Sequence, residues 1–188
     1  MPHIPLDENL PGITGLLNYR QDTALPIRQL TQILLRGEST LTEGERELIA
    51  TVTSQGNQCR FCTDAHSAAA DAFYGEHTTS EMVKNDPANA PVSEKMKALL
   101  EVARRVQADA RTVSTELVDK ARHTGATDRE IHDTVLIASL FCLYNKYVDG
   151  LASVTPTEPA FYDRLANILK NNGYLPSPNR YASLNETK

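Results

Sequence analysis

Two short segments of this sequence, Thr42-Glu-Gly-Glu45 and Thr127-Asp-Arg-Glu130, place a glutamate three residues after a threonine. In a capping box the threonine side chain accepts from the backbone N–H three residues on, and the glutamate side chain accepts from the backbone N–H of the threonine. Each segment therefore predicts the start of a helix, one at about residue 43 and the other at about residue 131. Because the two segments look alike, they also suggest that a helical unit is duplicated.

Other capping and glycine signals divide most of the remaining chain into helices. The predicted ranges are about 26–36, 43–55, 59–74, 94–110, 114–125, 131–148 and 159–172, with one short helix near 80–84. No segment shows the alternation of polar and apolar residues that is typical of a strand. The sequence predicts an all-α protein with an extended N-terminal arm at 1–24, one helical domain at 25–173 and a polar tail at 174–188.

The composition is that of an ordinary globular protein, with 188 residues, 40% hydrophobic and 23% charged. The net charge of −5 comes without a block of lysines or arginines, which argues against nucleic acid or an anionic membrane as a partner. No run approaches the ~20 apolar residues of a membrane span, and the first residues lack the features of a signal peptide. We expect a cytoplasmic protein with no nucleic-acid or membrane partner.

The segment Cys59-Arg-Phe-Cys62-Thr-Asp-Ala-His66 holds two of the three cysteines. At about 100° per residue, a helix places Cys59, Cys62 and His66 on one narrow face. A thiolate is the reactive form of cysteine, and both a helix N-terminus and a nearby imidazole favour it. The pattern indicates a redox site but leaves open which cysteine attacks first. Cys142, in a strongly apolar stretch, is predicted to pack in the core.

Three other interpretations compete for the cysteine pair. A structural zinc site requires four ligands, and only His66 and distant residues could complete the set. A thioredoxin-type site follows a strand in a βαβ unit, which the helical surroundings do not provide. The third interpretation is a purely structural pair of buried cysteines. His66, four residues after Cys62, argues against it. We therefore expect no zinc at this cysteine pair.

Glu47 lies twelve residues before Cys59 on the preceding predicted helix. Composition alone favours a solvated carboxylate here, because Glu43 and Glu45 are on the same helix. Periodicity therefore does not select Glu47 as a functional residue.

Together, Glu47, Cys59, Cys62 and His66 resemble the motif of the alkylhydroperoxidase D-like branch of the carboxymuconolactone decarboxylase superfamily. The resemblance covers roughly residues 25–170. It includes the segment Leu41-Thr-Glu-Gly-Glu-Arg-Glu-Leu-Ile-Ala50, and also Phe141-Cys-Leu-Tyr-Asn-Lys-Tyr-Val-Asp-Gly150, which is similar to a segment of the peroxidase-related subgroup. The decarboxylases of the superfamily lack the cysteine pair, so the pair points away from lactone decarboxylation.

The resemblance implies an all-helical bundle, a homo-oligomer and a peroxidase with peroxiredoxin activity that needs neither haem nor metal. It assigns Cys62 as the attacking cysteine, Cys59 as the resolving cysteine, and Glu47 and His66 as the proton relay. Some members carry a second histidine between the cysteines, where this chain has Phe61. The relay is then shorter, and Phe61 instead offers an apolar wall to a hydrophobic peroxide.

The predicted function is reduction of an organic hydroperoxide through a dithiol–disulfide cycle, with a dithiol reductant or a reductase as partner. Two alternatives remain at this point. One is a dithiol–disulfide oxidoreductase that uses the same cysteines without peroxide. The other is a redox-sensing helical oligomer without enzymatic activity.

Overall fold

The computed structural model of the protein describes residues 1–178 and 180–185. Within these residues the chain forms nine α-helices and two short 3-10 turns, and it contains no strand. The predicted all-α fold is confirmed, and a thioredoxin-type fold is excluded because it requires a sheet. The helices are α1 (Ile13–Tyr19), α2 (Gln21–Arg36), α3 (Glu43–Gly56), α4 (Arg60–Tyr74), α5 (Thr78–Asn85), α6 (Glu94–Asp109), α7 (Thr115–His123), α8 (Asp128–Gly150) and α9 (Pro159–Asn172).

Both predicted capping boxes are present and open α3 and α8. The Thr42 side chain accepts from the backbone N–H of Glu45 at 3.2 Å, and the Glu45 carboxylate accepts from the backbone N–H of Thr42 at 2.8 Å. The corresponding distances between Thr127 and Glu130 are 3.2 and 2.7 Å. These bonds satisfy N–H groups that a helix start leaves without partners. That the two helices descend from a duplicated unit stays a prediction.

The third helix is the centre of the bundle. It packs against α4, α6 and α8, while α9 packs against α4. Every residue of α3 from Arg46 to Ser54 is buried, so polar side chains on this helix face protein rather than water. A carboxylate there must find partners inside the protein, because an unpaired buried charge is strongly destabilising.

The prolines of the N-terminal segment predicted an extended arm, and this prediction is wrong. The segment contains α1, and α2 begins at Gln21 rather than near residue 26. Leu16 and Leu17 of α1 are buried, and this tertiary packing outweighs the local signals of the prolines. Pro26 lies inside α2, where its missing N–H leaves one exposed carbonyl without a helical partner.

Gly12 fixes the N-terminal segment against the first turn of α4. Its φ of 61° lies in the left-handed region, and the ring of Phe61 occupies the place where a Cβ would project. Its backbone N–H donates to the carbonyl of Val154 at 2.8 Å. A larger residue at position 12 would therefore meet both backbone strain and a steric clash. In the described part of the chain, no helix has the length and hydropathy needed to cross a membrane.

Candidate active site

Cys59 and Cys62 lie at the N-terminus of α4 as free thiols whose Sγ atoms are 3.1 Å apart. Cys59 is the N-cap residue, with ψ of 96°, so it precedes the helix rather than belonging to its face as predicted. Cys62 is in the first turn. Both side chains are buried, and both are near the positive end of the helix dipole.

The turn before Cys59 is strained. Gln58 adopts the left-handed conformation, with φ of 60°. A non-glycine residue in this region costs of order 1 kcal/mol or more, and the surroundings must hold it there. The backbone N–H of Cys59 donates to the carbonyl of Ser54 at 3.0 Å, which fixes the position of the cysteine after the turn.

A partly buried network of side-chain amides supports the same turn. The Asn57 side chain donates to Oδ1 of Asn145 at 2.8 Å and accepts from Gln107 at 3.0 Å. Asn145 in turn donates to the hydroxyl of Ser54 at 3.1 Å. Helices α3, α6 and α8 therefore all hold the loop that carries the first cysteine.

The pKa of Cys62 is raised well above its ordinary value. The hydrogen bond with Cys59 is the largest cause, burial is the second, and the Asn145 amide acts in the opposite direction. Two sulfurs this close disfavour two negative charges, so the pair carries at most one thiolate. A nearby base is needed to remove the proton from Cys62 when it reacts.

His66 and Glu47 are directly hydrogen-bonded. The His66 Nδ1 atom lies 2.6 Å from Oε2 of Glu47, and the ring packs edge-on against Phe141 with centroids 4.4 Å apart. Glu47 is fully buried, in contrast to the solvated carboxylate that composition favoured. Because an ionised carboxylate only accepts, Nδ1 carries the proton and donates it to Glu47. This leaves Nε2 as the basic nitrogen of His66.

Glu47 has two further partners that the sequence did not indicate. Its Oε1 atom accepts from Nη2 of Arg36 and from the hydroxyl of Tyr174, each at 2.6 Å. Burial by itself raises the pKa of Glu47. The charges of His66 and Arg36, with the hydrogen bonds of His66 and Tyr174, lower it to about 2. The carboxylate is therefore ionised at neutral pH.

Tyr174 comes from the segment that the sequence assigned to a polar tail. Burial and the charge of Glu47 raise its pKa well above the ordinary value, so its hydroxyl keeps its proton and donates. Its ring is nearly parallel to that of His66, with an interplanar angle of 13° and centroids 6.4 Å apart. The backbone N–H of Tyr174 donates to Gln32 at 2.6 Å, which ties the segment to α2. Periodicity gave no signal for this contact, since Tyr174 follows the last helix.

Cys62 and His66 face a common inner cavity of about 50 Å³. Neither Cys59 nor Glu47 lines it. Its walls are mostly apolar and include Phe61, Phe141 and Leu165. The structure thus joins Cys59 to Cys62 and Glu47 to His66 and brings both pairs to one cavity. Across the described ranges, no direct hydrogen bond connects Cys62 with His66.

Two further sequence predictions concern Cys142 and a possible zinc site. Cys142 is half-buried rather than fully packed, and its Sγ lies 3.4 Å from Nδ2 of Asn57. Within residues 1–178 and 180–185, no three histidine, cysteine or acidic side chains are grouped as metal ligands.

Comparison with known proteins gives two kinds of similarity. Residues 22–73 match the carboxymuconolactone decarboxylase family. This match contains Glu47, both site cysteines and His66. A search of curated proteins found no match.

Two crystal structures resemble most of the fold. One is an uncharacterized peroxidase-related protein from Silicibacter sp. TM1040, with 25% identity, a TM-score of 0.73, and coverage of 81% of this chain and 78% of that chain. The other is an uncharacterized peroxidase-related protein with an alkylhydroperoxidase AhpD core from Ralstonia eutropha JMP134, with 22% identity, a TM-score of 0.77, and coverage of 88% and 96%. The family match over residues 22–73 and these two structures show that the chain is similar to the alkylhydroperoxidase D-like branch of the carboxymuconolactone decarboxylase superfamily.

Proposed function

We propose that the protein is a cofactor-free thiol peroxidase that reduces organic hydroperoxides with the dithiol Cys59 and Cys62. The observation that carries the proposal is the shared cavity, which exposes one sulfur and one imidazole to the same small, mostly apolar space. Cys62 is the attacking residue because it lines the cavity, whereas Cys59 is fully buried behind it. The family and the peroxidase-related neighbours support this reaction class.

In the first step His66 Nε2 takes the proton of Cys62. The thiolate attacks the terminal oxygen of ROOH, the S–O bond forms, and the O–O bond breaks. The leaving alkoxide receives the proton from His66 and departs as the alcohol ROH. The sulfur has then lost two electrons and is a sulfenic acid.

In the second step the thiol of Cys59 attacks the sulfur of the Cys62 sulfenic acid. A disulfide forms and the hydroxyl leaves as water. The reduced sulfurs are already 3.1 Å apart, so little movement separates them from a bond of about 2.05 Å. A dithiol partner then reduces the disulfide by thiol–disulfide exchange.

Glu47 has a narrower role than the family relay implies. With a pKa of about 2, it is a poor proton acceptor at neutral pH. Its function in this proposal is to hold the proton of His66 on Nδ1 and to stabilise the imidazolium that forms when Nε2 takes the thiol proton. His66 is thus the base, and Glu47 positions it.

The proposal is tested by the stoichiometry of one turnover. Fully reduced protein mixed with one equivalent of an alkyl hydroperoxide is expected to form one alcohol and lose two thiols per chain. Mass spectrometry of a non-reduced digest should locate the disulfide between Cys59 and Cys62. The matched control is Cys142→Ser, which should behave like the wild type because it removes only the third thiol.

Other results would select the alternatives. If a disulfide substrate is reduced while hydroperoxide is not, the protein is a dithiol–disulfide oxidoreductase. Oxidation that changes the oligomeric state without any turnover would instead support a redox sensor. Either result contradicts the peroxidase.

Replacing Tyr174 by phenylalanine should lower peroxide turnover several-fold. The variant removes the hydroxyl that donates to Glu47 and keeps the ring beside His66. A hydrogen bond to a charged group contributes about 1.5–3 kcal/mol, so the free energy of unfolding should fall by an amount in this range. Steady-state turnover and urea denaturation measure the two effects.

The matched control is Tyr162→Phe. This tyrosine donates to a backbone carbonyl, that of Pro156, at 2.8 Å and does not contact Glu47. It should lose stability with unchanged turnover. Equal turnover losses in the two variants would contradict a specific role for Tyr174.

A further inference from the structure

A second, much larger cavity adjoins the inner one. We call it the outer cleft; its volume is about 580 Å³, and its walls come from the N-terminal segment, α2, residues 176–177 and residues 180–182. Leu17, Arg28 and Tyr181 line both spaces, so these three side chains stand at the boundary between them. A molecule that reaches Cys62 from the outer cleft must pass this boundary.

Arg28 is a cation at the boundary, and some of its N–H groups have no hydrogen-bond partner among the described residues. Its Nη1 atom donates to the carbonyl of Tyr174 at 3.3 Å and to the hydroxyl of Tyr181 at 3.1 Å. Both bonds use the same nitrogen, while a guanidinium has five N–H donors. Nε and Nη2 of Arg28 make no hydrogen bond within the described residues.

The second arginine of the outer cleft, Arg180, is buried. Its Nη1 atom donates to the carbonyls of Asn172 at 3.3 Å and Leu175 at 2.8 Å, and Nη2 donates to Gly173. Backbone carbonyls satisfy these donors but do not neutralise the charge. In the part of the chain that is described, no carboxylate lies within 4 Å of either guanidinium in the cleft.

Among the described residues that line the outer cleft, Asp7 is the one acidic side chain, and it is already hydrogen-bonded. Its Oδ1 atom accepts from the backbone and side-chain nitrogens of Asn9, at 2.9 and 3.2 Å. The described residues of the lining include two arginines and one aspartate, so together they carry a net positive charge. The cleft therefore favours an anionic group, and the inner cavity favours an apolar one.

We infer that the substrate is an amphipathic hydroperoxide with a carboxylate, held by Arg28 in the outer cleft while its apolar, peroxide-bearing end reaches Cys62. This rests on the proposed function and adds its substrate class. A planar carboxylate can accept two parallel bonds from a guanidinium, which makes arginine the suitable residue at this boundary. The apolar walls of the inner cavity contact the carbons next to the hydroperoxide group.

The test compares terminal hydroperoxides of short unbranched fatty acids with their methyl esters, over a series of chain lengths. For at least one length, wild-type protein should use the acid with a kcat/KM about tenfold above that of the ester. A factor of ten corresponds to about 1.4 kcal/mol, close to the lower end of what a hydrogen bond to a charged group contributes. Acid and ester turned over equally at every length would overturn the inference. This comparison uses only wild-type protein, so its result does not depend on whether any variant folds.

Arg28→Gln should bring the acid-to-ester ratio close to one, and Arg28→Lys should retain part of it. The matched control is Arg105→Gln, on an exposed part of α6, which should keep the wild-type ratio. A preference that survives in Arg28→Gln would overturn the assignment to this residue.

The unsubstituted alkyl hydroperoxide of the same length separates this inference from the proposed function. If wild-type protein reduces it but shows no preference for the acid, only the substrate class is wrong. If no hydroperoxide of any kind is reduced, the peroxidase itself is wrong.

Discussion

Replacing Cys62 by serine is expected to lower multiple-turnover reduction of an alkyl hydroperoxide by about 10³-fold or more. A serine hydroxyl does not form a thiolate and cannot take up the peroxide oxygen as a stable sulfenic acid. Cys62 is also the only site cysteine that lines the inner cavity. The measurement is alcohol formed per chain, with a dithiol such as dithiothreitol in excess.

Cys59→Ser provides the contrast that assigns the two roles. It retains the attacking sulfur, so reduced variant should still form about one alcohol per chain in a single turnover. The Cys62 sulfenic acid should then persist, because no second thiol lies beside it, and a sulfenic-acid reagent should label it. Cys62→Ser should form no alcohol and take no label.

The opposite pattern would reverse the assignment. A burst of alcohol in Cys62→Ser, with none in Cys59→Ser, would make Cys59 the attacking residue. Full turnover in Cys62→Ser would remove the cysteines from the proposed chemistry.

The parts of the fold that follow from local chemistry could be predicted from the sequence. The two capping boxes and the serine caps at Ser93 and Ser114 are hydrogen bonds between residues three apart. The starts of α3, α6 and α7 were therefore predicted to within one residue, whereas α8 begins three residues before the predicted start. The all-α fold followed from those helices and from the missing strand pattern. The prediction of an extended N-terminal arm was wrong because the burial of α1 depends on residues far away in the chain.

In the candidate site, too, local contacts could be predicted from the sequence and contacts between distant residues could not. Cys62 and His66 share one helix, and their spacing alone placed them on one side of it. Glu47 was selected only by the family resemblance, since burial of a carboxylate depends on the partners that surround it. Arg36 and Tyr174 gave no signal, because they approach Glu47 from 11 and 127 residues away in the sequence.

Burial of Glu47 explains why these distant residues are needed. A lone carboxylate at the centre of α3 would be protonated or would destabilise the fold. Arg36 and Tyr174 both donate to one oxygen of Glu47, and His66 occupies the other. The charge that orients the base is thus maintained by α2 and by the segment after α9.

Replacing Glu47 by glutamine is expected to lower both stability and turnover. The Arg36 side chain is only 4% exposed and would lose its closest anionic partner. Breaking a buried ion pair from one side costs about 3–5 kcal/mol, which should appear as a lower free energy of unfolding in urea. His66 would also lose the carboxylate that fixes its tautomer, so turnover should fall by about 10²-fold or more.

The stability difference between wild type and Glu47→Gln should depend on pH in one direction. The pKa of Glu47 is about 4.5 in the unfolded chain and about 2 in the folded protein. Folding therefore stabilises the ionised form, and this contribution, on the order of 3 kcal/mol, is complete above pH 4.5. As the pH falls from about 4.5 towards 2 the contribution is lost, so the two unfolding free energies should converge. A difference that is constant across this window would contradict the lowered pKa.

The double variant Arg36→Met with Glu47→Gln separates the two effects of Glu47. It removes the buried cation together with the buried anion, and replacing both partners of an ion pair is often nearly neutral for stability. We therefore expect the free energy of unfolding to recover most of the loss seen in Glu47→Gln. Turnover should stay low, because His66 still lacks its carboxylate. If turnover recovered along with stability, Glu47 would serve only to neutralise Arg36, and His66 would act as the base without it.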